Sequence, residues 1–237
     1  MKSIVVDIGN TSVKVAAFEN QSLVSFNRLQ EEKINLSKFC EDYDVPVIIS
    51  PTGNLNKVDF TGFEKVLLFN NVTPLPIKLN YQTPETLGLD RIAAAVGAYS
   101  KNKNTLVIDF GTCVTYDLID RHGVYQGGFI LPGIDMRLKA MNDFTDKLPY
   151  VYDWRDNWKT INGIGKSTYE CLLSGVKESM HMEIFQMIHL FEKEFADLRT
   201  IYTGGDADFF DKELKNSIFA MPKLVLDGLN KILLHNI

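Results

Sequence analysis

The chain has 237 residues, of which 45% are hydrophobic and 23% charged, and its formal net charge is −5. This balance is typical of a soluble globular protein with one or two domains. The negative charge and the scatter of lysines and arginines argue against a nucleic-acid-binding surface, whereas a small anionic substrate stays possible because a local site can be positive on an acidic protein.

The sequence shows no pattern typical of a membrane span, a signal peptide or a disulfide framework. No apolar run approaches about 18 residues, and a strand pattern begins directly after Ser3, so we expect no membrane span and no signal peptide. The cysteines Cys40, Cys113 and Cys171 are widely spaced, which predicts free thiols in a reducing compartment. These observations predict a cytoplasmic protein.

The segment from Ile4 to Phe18, IVVDIGNTSVKVAAF, is the first with a chemical signature. It predicts a buried strand that ends at Asp7, a Gly-Asn-Thr turn and a second strand. Gly9 permits a close backbone approach, and the polar residues 10–12 supply hydrogen-bond donors, so the turn could hold a phosphate and its metal ion. The alternative is an ordinary hairpin closed by an Asp-x-Gly turn.

The next part of the chain predicts an α/β lobe. Strand patterns occupy residues 23–29, 45–50 and 65–69, and residues 31–43 have the spacing of a short helix. Such alternation favours a partly parallel sheet covered by helices.

An alanine-rich helix is predicted for residues 88–100, GLDRIAAAVGAYS. Asp90 and Arg91 fall in its opening turn. One interpretation is that Asp90 accepts a proton while Arg91 steers an anionic group, with Gly88 allowing a substrate close to the backbone. The other is an acid favoured by the helix dipole next to a solvated arginine.

The segment from Leu106 to Ile119, LVIDFGTCVTYDLI, repeats the pattern of the first hairpin. Aligning Asp7 with Asp109 superposes an apolar run, an acid, a glycine, a hydroxyl-bearing turn and a second strand. The offset of about a hundred residues suits a duplicated domain and is too long for a solenoid repeat.

The C-terminal part combines glycine-rich turns with helices. VYQGGFILPG at residues 124–133 predicts a strand up to its glycine pair, and residues 167–195 have a long helical pattern whose apolar stripe suits a core or a subunit interface. A strand at 199–203 leads into Gly204-Gly205 and a helix containing Phe209, Phe210 and Leu214. This turn suits a phosphate or an adenine ring, or is only a tight connection. An amphipathic helix at 224–234 ends the pattern.

The segments DIGNTSVK, GLDR, DFGTCVT, GGFILPG and TGGDA stand in this order along the chain. As a set they closely resemble the type III pantothenate kinase family, within the superfamily of acetate and sugar kinases, actin and heat-shock chaperone ATPases. The resemblance implies an α/β fold of two ribonuclease H-like lobes, each with a βββαβα core, and a nucleotide cleft between the lobes. We assign residues 1–104 to the N-terminal lobe and residues 105–237 to the C-terminal lobe.

The resemblance also implies residue roles. Asp90 would be the catalytic base. Asp7 would lie near the magnesium ion that binds with ATP, and Asp109 would hold a monovalent cation, K⁺ or NH₄⁺. The ATP-binding residues would be Asp7, Ile8, Gly9, Asn10, Thr11, Ser12, Val13, Lys14, Thr112, Gly204, Gly205 and Asp206. The pantothenate-binding residues would be Tyr81, Gly88, Leu89, Asp90, Arg91 and Thr168.

The implied reaction is the ATP-dependent phosphorylation of pantothenate to 4′-phosphopantothenate, the first step of coenzyme A biosynthesis. The implied assembly is a homodimer that binds neither nucleic acid nor membrane, and the helix at 167–195 is one candidate for its contact surface. Two alternatives stay open, because fold alone does not fix function. One is a kinase or phosphoanhydride hydrolase that acts on another small molecule, and the other is a non-catalytic regulator that binds nucleotide or pantothenate.

Overall fold

The structure is a computed structural model that describes residues 1–9, 12–31, 33–210 and 218–237. Its strands are β1 (Lys2–Ile8), β2 (Val13–Glu19), β3 (Ser22–Leu29), β4 (Ile34–Asn35), β5 (Val47–Pro51), β6 (Val58–Asp59), β7 (Val66–Leu68), β8 (Lys78–Leu79), β9 (Asn104–Phe110), β10 (Cys113–Ile119), β11 (Val124–Pro132), β12 (Leu198–Thr203) and β13 (Ile218–Ala220). Its α-helices are α1 (Leu89–Ala98), α2 (Ile134–Asp143), α3 (Trp154–Asn157), α4 (Thr168–Glu194) and α5 (Leu224–His235). Among the described residues, no helix has the length and apolar character needed to cross a membrane.

The chain divides into two compact units, and each unit is built from separate segments. Unit 1 comprises Met1–Lys101, Ile119–Gly127 and Lys223–Ile237, and unit 2 comprises Asn102–Leu118 and Gly128–Pro222. The C-terminal helix α5 therefore groups with the N-terminal part of the chain. The lobe boundary between residues 104 and 105 stays a prediction.

Unit 1 is organised on a five-stranded sheet with the order β3-β2-β1-β5-β7. Strand β1 is antiparallel to β2 and parallel to β5. One face of the sheet packs a hydrophobic cluster that includes Ile4, Val6 and Ile8. Because side chains alternate along a strand, Ser3, Val5 and Asp7 point to the other face.

Helix α5 covers that other face and packs in turn against α1. Helix α5 packs against β1, β5 and α1, and Ser3 Oγ donates a hydrogen bond of 2.6 Å to Asn230 Oδ1 in a buried position. Close helix packing depends on Gly228, where a β-carbon would lie 1.8 Å from Ala93 O. The two helices therefore approach each other backbone to backbone at Gly228.

Unit 2 contains β13, β12 and β9, all of β10 except Ile119, and the part of β11 from Gly128 onward. These strands lie in the order β13-β12-β9-β10-β11 in the second sheet. Strand β12 is parallel to both β9 and β13. The core of this unit includes Phe110, Tyr116, Trp154, Trp158 and Phe210, all at most 1% exposed. The two tryptophans are thus core residues, although they lie in the polar segment YDWRDNW.

The predicted helix at residues 31–43 is wrong. Residues Ile34–Asn35 of this segment form strand β4, in which Ile34 pairs with Val58 of β6. Asn35 then accepts a hydrogen bond from Ser37 N and caps a short 3₁₀ helix, Leu36–Lys38. The capping side chain competes with helix continuation, which explains why the helical spacing did not produce a helix.

Other boundaries shifted by smaller amounts. Strand β11 continues past the glycine pair to Pro132. The helix predicted around Phe209 and Phe210 is a 3₁₀ helix at Ala207–Phe209, and Leu214 lies outside the described residues. The long helix is confirmed as α4, and Ser167 is its N-cap because Ser167 Oγ accepts a hydrogen bond from Glu170 N.

Candidate active site

Asp7 lies in a straight row of polar residues that crosses four strands of unit 1. The β1 register places Asp7 opposite Lys14 on β2 and opposite Ser50 on β5, and the β2 register places Lys14 opposite Arg28 on β3. Directly opposed residues share one face of a sheet. Ser50, Asp7, Lys14 and Arg28 therefore project from the same face, the one that α5 covers.

Asp7 is buried, and its Oδ2 lies 2.8 Å from Lys14 Nζ. A buried charge needs a close partner of opposite sign, which Lys14 supplies. A single carboxylate fits the chemistry of magnesium, which binds few protein oxygens and completes its shell with water and phosphate oxygens. Asp7 would hold that ion together with the phosphates of ATP.

The turn after β1 is braced by the segment after β5. Thr52 Oγ1 donates a hydrogen bond of 2.7 Å to Ile8 O, and Gly53 N donates one of 2.6 Å to the same oxygen. A β-carbon at Gly53 would lie 2.7 Å from Gly9 O. A side chain at position 53 would therefore displace the turn that leads to Ser12.

The predicted nucleotide residues of this turn differ in accessibility. Ile8 and Val13 are buried in the hydrophobic cluster, so only their backbone could reach a ligand. Ser12 is also buried, and its Oγ accepts a hydrogen bond of 3.1 Å from Arg28 Nε. The predicted residues Asn10 and Thr11 lie outside the described residues.

Asp90 is exposed in the first turn of α1. Its Oδ1 accepts a hydrogen bond of 2.9 Å from Arg91 N, and a β-carbon at Gly88 would lie 2.6 Å from the same oxygen. The glycine therefore leaves room for the carboxylate at the helix start. Leu89 is half-buried, while Arg91 is 7% exposed and so is not the solvated arginine of the structural alternative.

Tyr81 lies against a glycine of β11 within unit 1. Its ring centroid is 6.0 Å from that of Tyr125. Gly127 has φ +90, a conformation that favours glycine, and a β-carbon there would lie 3.8 Å from the Tyr81 ring. The half-buried ring of Tyr81 thus rests on bare backbone.

In unit 2, Asp109 is the residue before the last one of β9 and pairs in register with Thr203 of β12. The next residue, Gly204, has φ +103, and a β-carbon at this position would lie 2.5 Å from Asp109 Oδ1 and 2.2 Å from Phe110 O. The glycine turn and the carboxylate therefore occupy one small region. Gly205 beside them is exposed.

Thr112 is exposed in the turn between β9 and β10. Gly133 supports this turn, because its N–H donates a hydrogen bond of 3.0 Å to Thr112 O and a β-carbon there would lie 2.3 Å from Gly111 O. Close backbone packing thus explains the final glycine of the GGFILPG segment, Gly133. Thr168 is exposed at the first residue of α4.

Asp206 has a partner that the sequence did not indicate. Arg155 Nη2 lies 3.1 Å from Asp206 Oδ1, and its guanidinium carbon lies 4.1 Å from the centroid of the Trp154 ring. Asp206 N also donates a hydrogen bond of 3.0 Å to Phe110 O. These contacts hold the TGGDA turn in place, and no sequence signal links residue 155 to residue 206.

Each unit thus assembles part of the predicted site. Unit 1 brings Asp7 together with Lys14 and Gly88 together with Asp90, and unit 2 brings Asp109 together with Gly204. Among the described residues, no group of three or more histidines, cysteines, aspartates or glutamates could hold a metal ion.

A family model described as type III pantothenate kinase matches residues 3–190. The chain belongs to the type III pantothenate kinase family. A type III pantothenate kinase of Bacteroides fragilis is 40% identical over 243 residues, which cover 99% of this chain and 98% of that protein. One of Cytophaga hutchinsonii is 39% identical over 243 residues, which cover 99% of this chain and 100% of that protein.

Solved structures resemble this type III pantothenate kinase family member in fold. A conserved Baf family protein from Campylobacter jejuni has a TM-score of 0.63 at 21% identity and covers 98% of both chains. A glucokinase from an Antarctic psychrotroph has a TM-score of 0.57 at 12% identity and covers 99% of both chains. The predicted α/β fold is therefore confirmed, as is the family assignment made from the five segments.

Proposed function

We propose that this chain transfers the γ-phosphate of ATP to pantothenate and yields 4′-phosphopantothenate, the first step of coenzyme A biosynthesis. The observation that carries this proposal is the match to type III pantothenate kinases over 99% of the chain at about 40% identity. The family is one of phosphotransferases, so ATP follows as the phosphate donor and magnesium as its accompanying metal ion.

The geometry around Asp90 supports a role as general base. A base must reach the hydroxyl proton of the acceptor, and an exposed carboxylate at the start of a helix can do so. The hydrogen bond from Arg91 N to Oδ1 orients the carboxylate. In our proposal Asp90 takes the proton of the primary hydroxyl of pantothenate.

Phosphoryl transfer depends mostly on alignment and on charge neutralisation. We assign this part to Asp7 with its magnesium ion and to Lys14, which lies 2.8 Å from Asp7. Asp109, beside the Gly204 turn, would hold the monovalent cation, K⁺ or NH₄⁺. Tyr81 and Thr168 would contact pantothenate.

A homodimer in the cytoplasm completes the proposal. Helix α4 exposes several large apolar side chains, among them Met182, Phe185 and Leu190. Contiguous exposed apolar groups often mark an interaction surface, so α4 is a candidate for the subunit contact. Light scattering coupled to size-exclusion chromatography would determine the mass.

Incubation of the purified protein with ATP, magnesium, potassium and pantothenate tests the proposed function. We expect equal amounts of ADP and 4′-phosphopantothenate, both measured by mass spectrometry. Several nucleotide donors and a panel of small alcohols are tested in parallel. Without turnover of pantothenate, phosphorylation of a different acceptor would favour the other kinase, and hydrolysis of ATP alone would favour the hydrolase. Ligand binding without any turnover would favour the regulator. Each of these results would refute the assignment.

A further inference from the structure

Three cations gather at one end of the unit 1 sheet, and we call Lys14, Arg28 and Lys223 the basic cluster. Lys14 and Arg28 face each other across the β2–β3 ladder. Lys223 is the residue before α5, and its Nζ lies 2.9 Å from the centroid of the Phe26 ring. Phe26 precedes Arg28 by two positions on β3, so both side chains point to the face that α5 covers.

Mutual repulsion within the basic cluster is visible at Lys223. Burial lowers the pKa of Lys223, and the positive charges of Lys14 and Arg28 lower this pKa further. The charged side chains that act on Lys223 are thus both cations. Like charges held together destabilise one another unless an anion joins them.

The known partners of the basic cluster do not balance its charge. Lys14 is paired with Asp7 at 2.8 Å, and Arg28 Nε donates to the neutral hydroxyl of Ser12 at 3.1 Å. Among the described residues, the partners of these three cations include one carboxylate, which leaves a local excess of positive charge although the chain as a whole has a net charge of −5. Such a concentration of positive charge on an acidic protein raises the local concentration of anions.

The other end of the same row also has unused hydrogen-bonding capacity. Ser50 is fully buried directly opposite Asp7, and its Oγ has no hydrogen-bond partner among the described residues. A buried hydroxyl without a partner is uncommon and often marks a site completed by water, an ion or a ligand. The row from Ser50 to Arg28 therefore suits an extended, strongly charged ligand with its metal and water.

We propose that Arg28 and Lys223 act with Lys14 to bind the triphosphate chain of the nucleotide donor. This inference rests on the proposed function and adds two residues that lie outside the DIGNTSVK segment. Arg28 can form paired hydrogen bonds with phosphate oxygens, and Lys223 contributes a point charge. Binding through the phosphate chain makes affinity depend on its charge more than on the base.

Steady-state kinetics of Arg28→Gln and Lys223→Gln test the inference. We expect the KM for ATP to rise about tenfold in each variant, because each loses a charge-assisted contact with phosphate. The KM for pantothenate stays at the wild-type value. Lys223→Arg keeps the point charge and recovers most of the affinity, whereas Arg28→Lys keeps the charge but loses the paired hydrogen bonds and recovers only part of it.

The matched control is Lys65→Gln. Lys65 precedes β7 at the opposite end of this sheet, where its Nζ lies 2.7 Å from Asp44 Oδ1 on the surface. The Lys65→Gln variant loses the same charge from unit 1. A KM for ATP at the wild-type value in this variant would show that the effect at Arg28 and Lys223 comes from local binding and not from net charge. An equal rise in Lys65→Gln would overturn the inference.

A second measurement is independent of turnover. Inorganic tripolyphosphate carries the same phosphate chain without a nucleoside, and its binding is followed by isothermal titration calorimetry in the presence of magnesium. We expect an affinity about tenfold lower in Arg28→Gln and Lys223→Gln than in wild type. The inference would be refuted if the two variants bound tripolyphosphate as tightly as wild type, or if their affinity for adenosine fell by a similar factor. Either result would show that Lys223 only packs on Phe26.

The two proposals fail in distinguishable ways. A wild-type protein that binds tripolyphosphate through Arg28 and Lys223 but never phosphorylates pantothenate would refute the proposed function alone. A wild-type protein that phosphorylates pantothenate while both glutamine variants keep its KM for ATP and its tripolyphosphate affinity would refute only the inference about the basic cluster.

Discussion

Lys14 Nζ lies 2.8 Å from Asp7 Oδ2, and the two residues face each other directly across the β1–β2 ladder. The side chain of Asp7 is 6% exposed and that of Lys14 is 35% exposed. The pair therefore joins a buried carboxylate to a partly solvated amine.

Replacing Lys14 by methionine should destabilise the protein without ligand. The change leaves the buried carboxylate of Asp7 without its cation, and we expect a loss of about 1–3 kcal/mol in the free energy of unfolding. Urea denaturation measures this loss, with Lys65→Met as the surface control. Equal stability of the two variants would mean that solvent already compensates Asp7.

Asp90→Asn should remove most of the catalytic activity. A positioned general base contributes about 100- to 10,000-fold to the rate, so we expect kcat to fall by this range. Stability should change little because the side chain is exposed. Glu85→Gln, an exposed acid in the preceding 3₁₀ helix, is the matched control and should keep the wild-type kcat. A similar kcat in both variants would exclude Asp90 as the base.

Gly204→Ala should be more destabilising than Gly163→Ala. Both glycines have positive φ. Among the described residues, apart from the two chain neighbours, no heavy atom lies within 4 Å of a β-carbon at Gly163, whereas one at Gly204 would collide with Phe110 O and Asp109 Oδ1. We expect losses of about 1 kcal/mol at position 163 and about 2–4 kcal/mol at position 204. Chemical denaturation measures both, and equal losses would assign the effect to the backbone conformation alone.

Lys177→Met should weaken the loop that carries Trp158. Lys177 is 7% exposed, and its Nζ donates to Trp158 O at 3.0 Å, Ile161 O at 2.8 Å and Asn162 Oδ1 at 3.2 Å. The methionine leaves buried carbonyls without a donor, so we expect a loss of about 2–4 kcal/mol and a red-shifted tryptophan emission. Lys193→Met, on an exposed turn of the same helix, should change neither quantity.

Stability at alkaline pH should depend on Lys223. Folding lowers the pKa of this lysine, first by burial and then through Lys14 and Arg28. The unfolded chain therefore binds the proton more tightly, and stability rises as the pH increases from the folded pKa towards the ordinary value of 10.5. Compared with Lys223→Gln, the wild type should gain stability over that window in thermal unfolding. Parallel curves for the two proteins would contradict this prediction.

Much of the architecture follows from local patterns. Alternating β-branched residues specify β1, β2, β9 and β10, and periodic apolar residues specify α1, α4 and α5, because these patterns determine which face of an element is buried. The repeated Asp-x-Gly hairpins and the order of five segments specified the family. The helix predicted at 31–43 failed because an asparagine cap and a strand pairing outweighed helical spacing.

The sequence by itself determined the two hairpins, the main helices and the family, because each depends on residues that are near one another in the chain or on motifs in a given order. Only the tertiary structure placed Arg28 and Lys223 beside Lys14, opposed Ser50 to Asp7 and paired Arg155 with Asp206. These contacts depend on strand register and on helix packing between distant segments, which local composition does not encode. The charge around the phosphate turn is therefore a property of the fold.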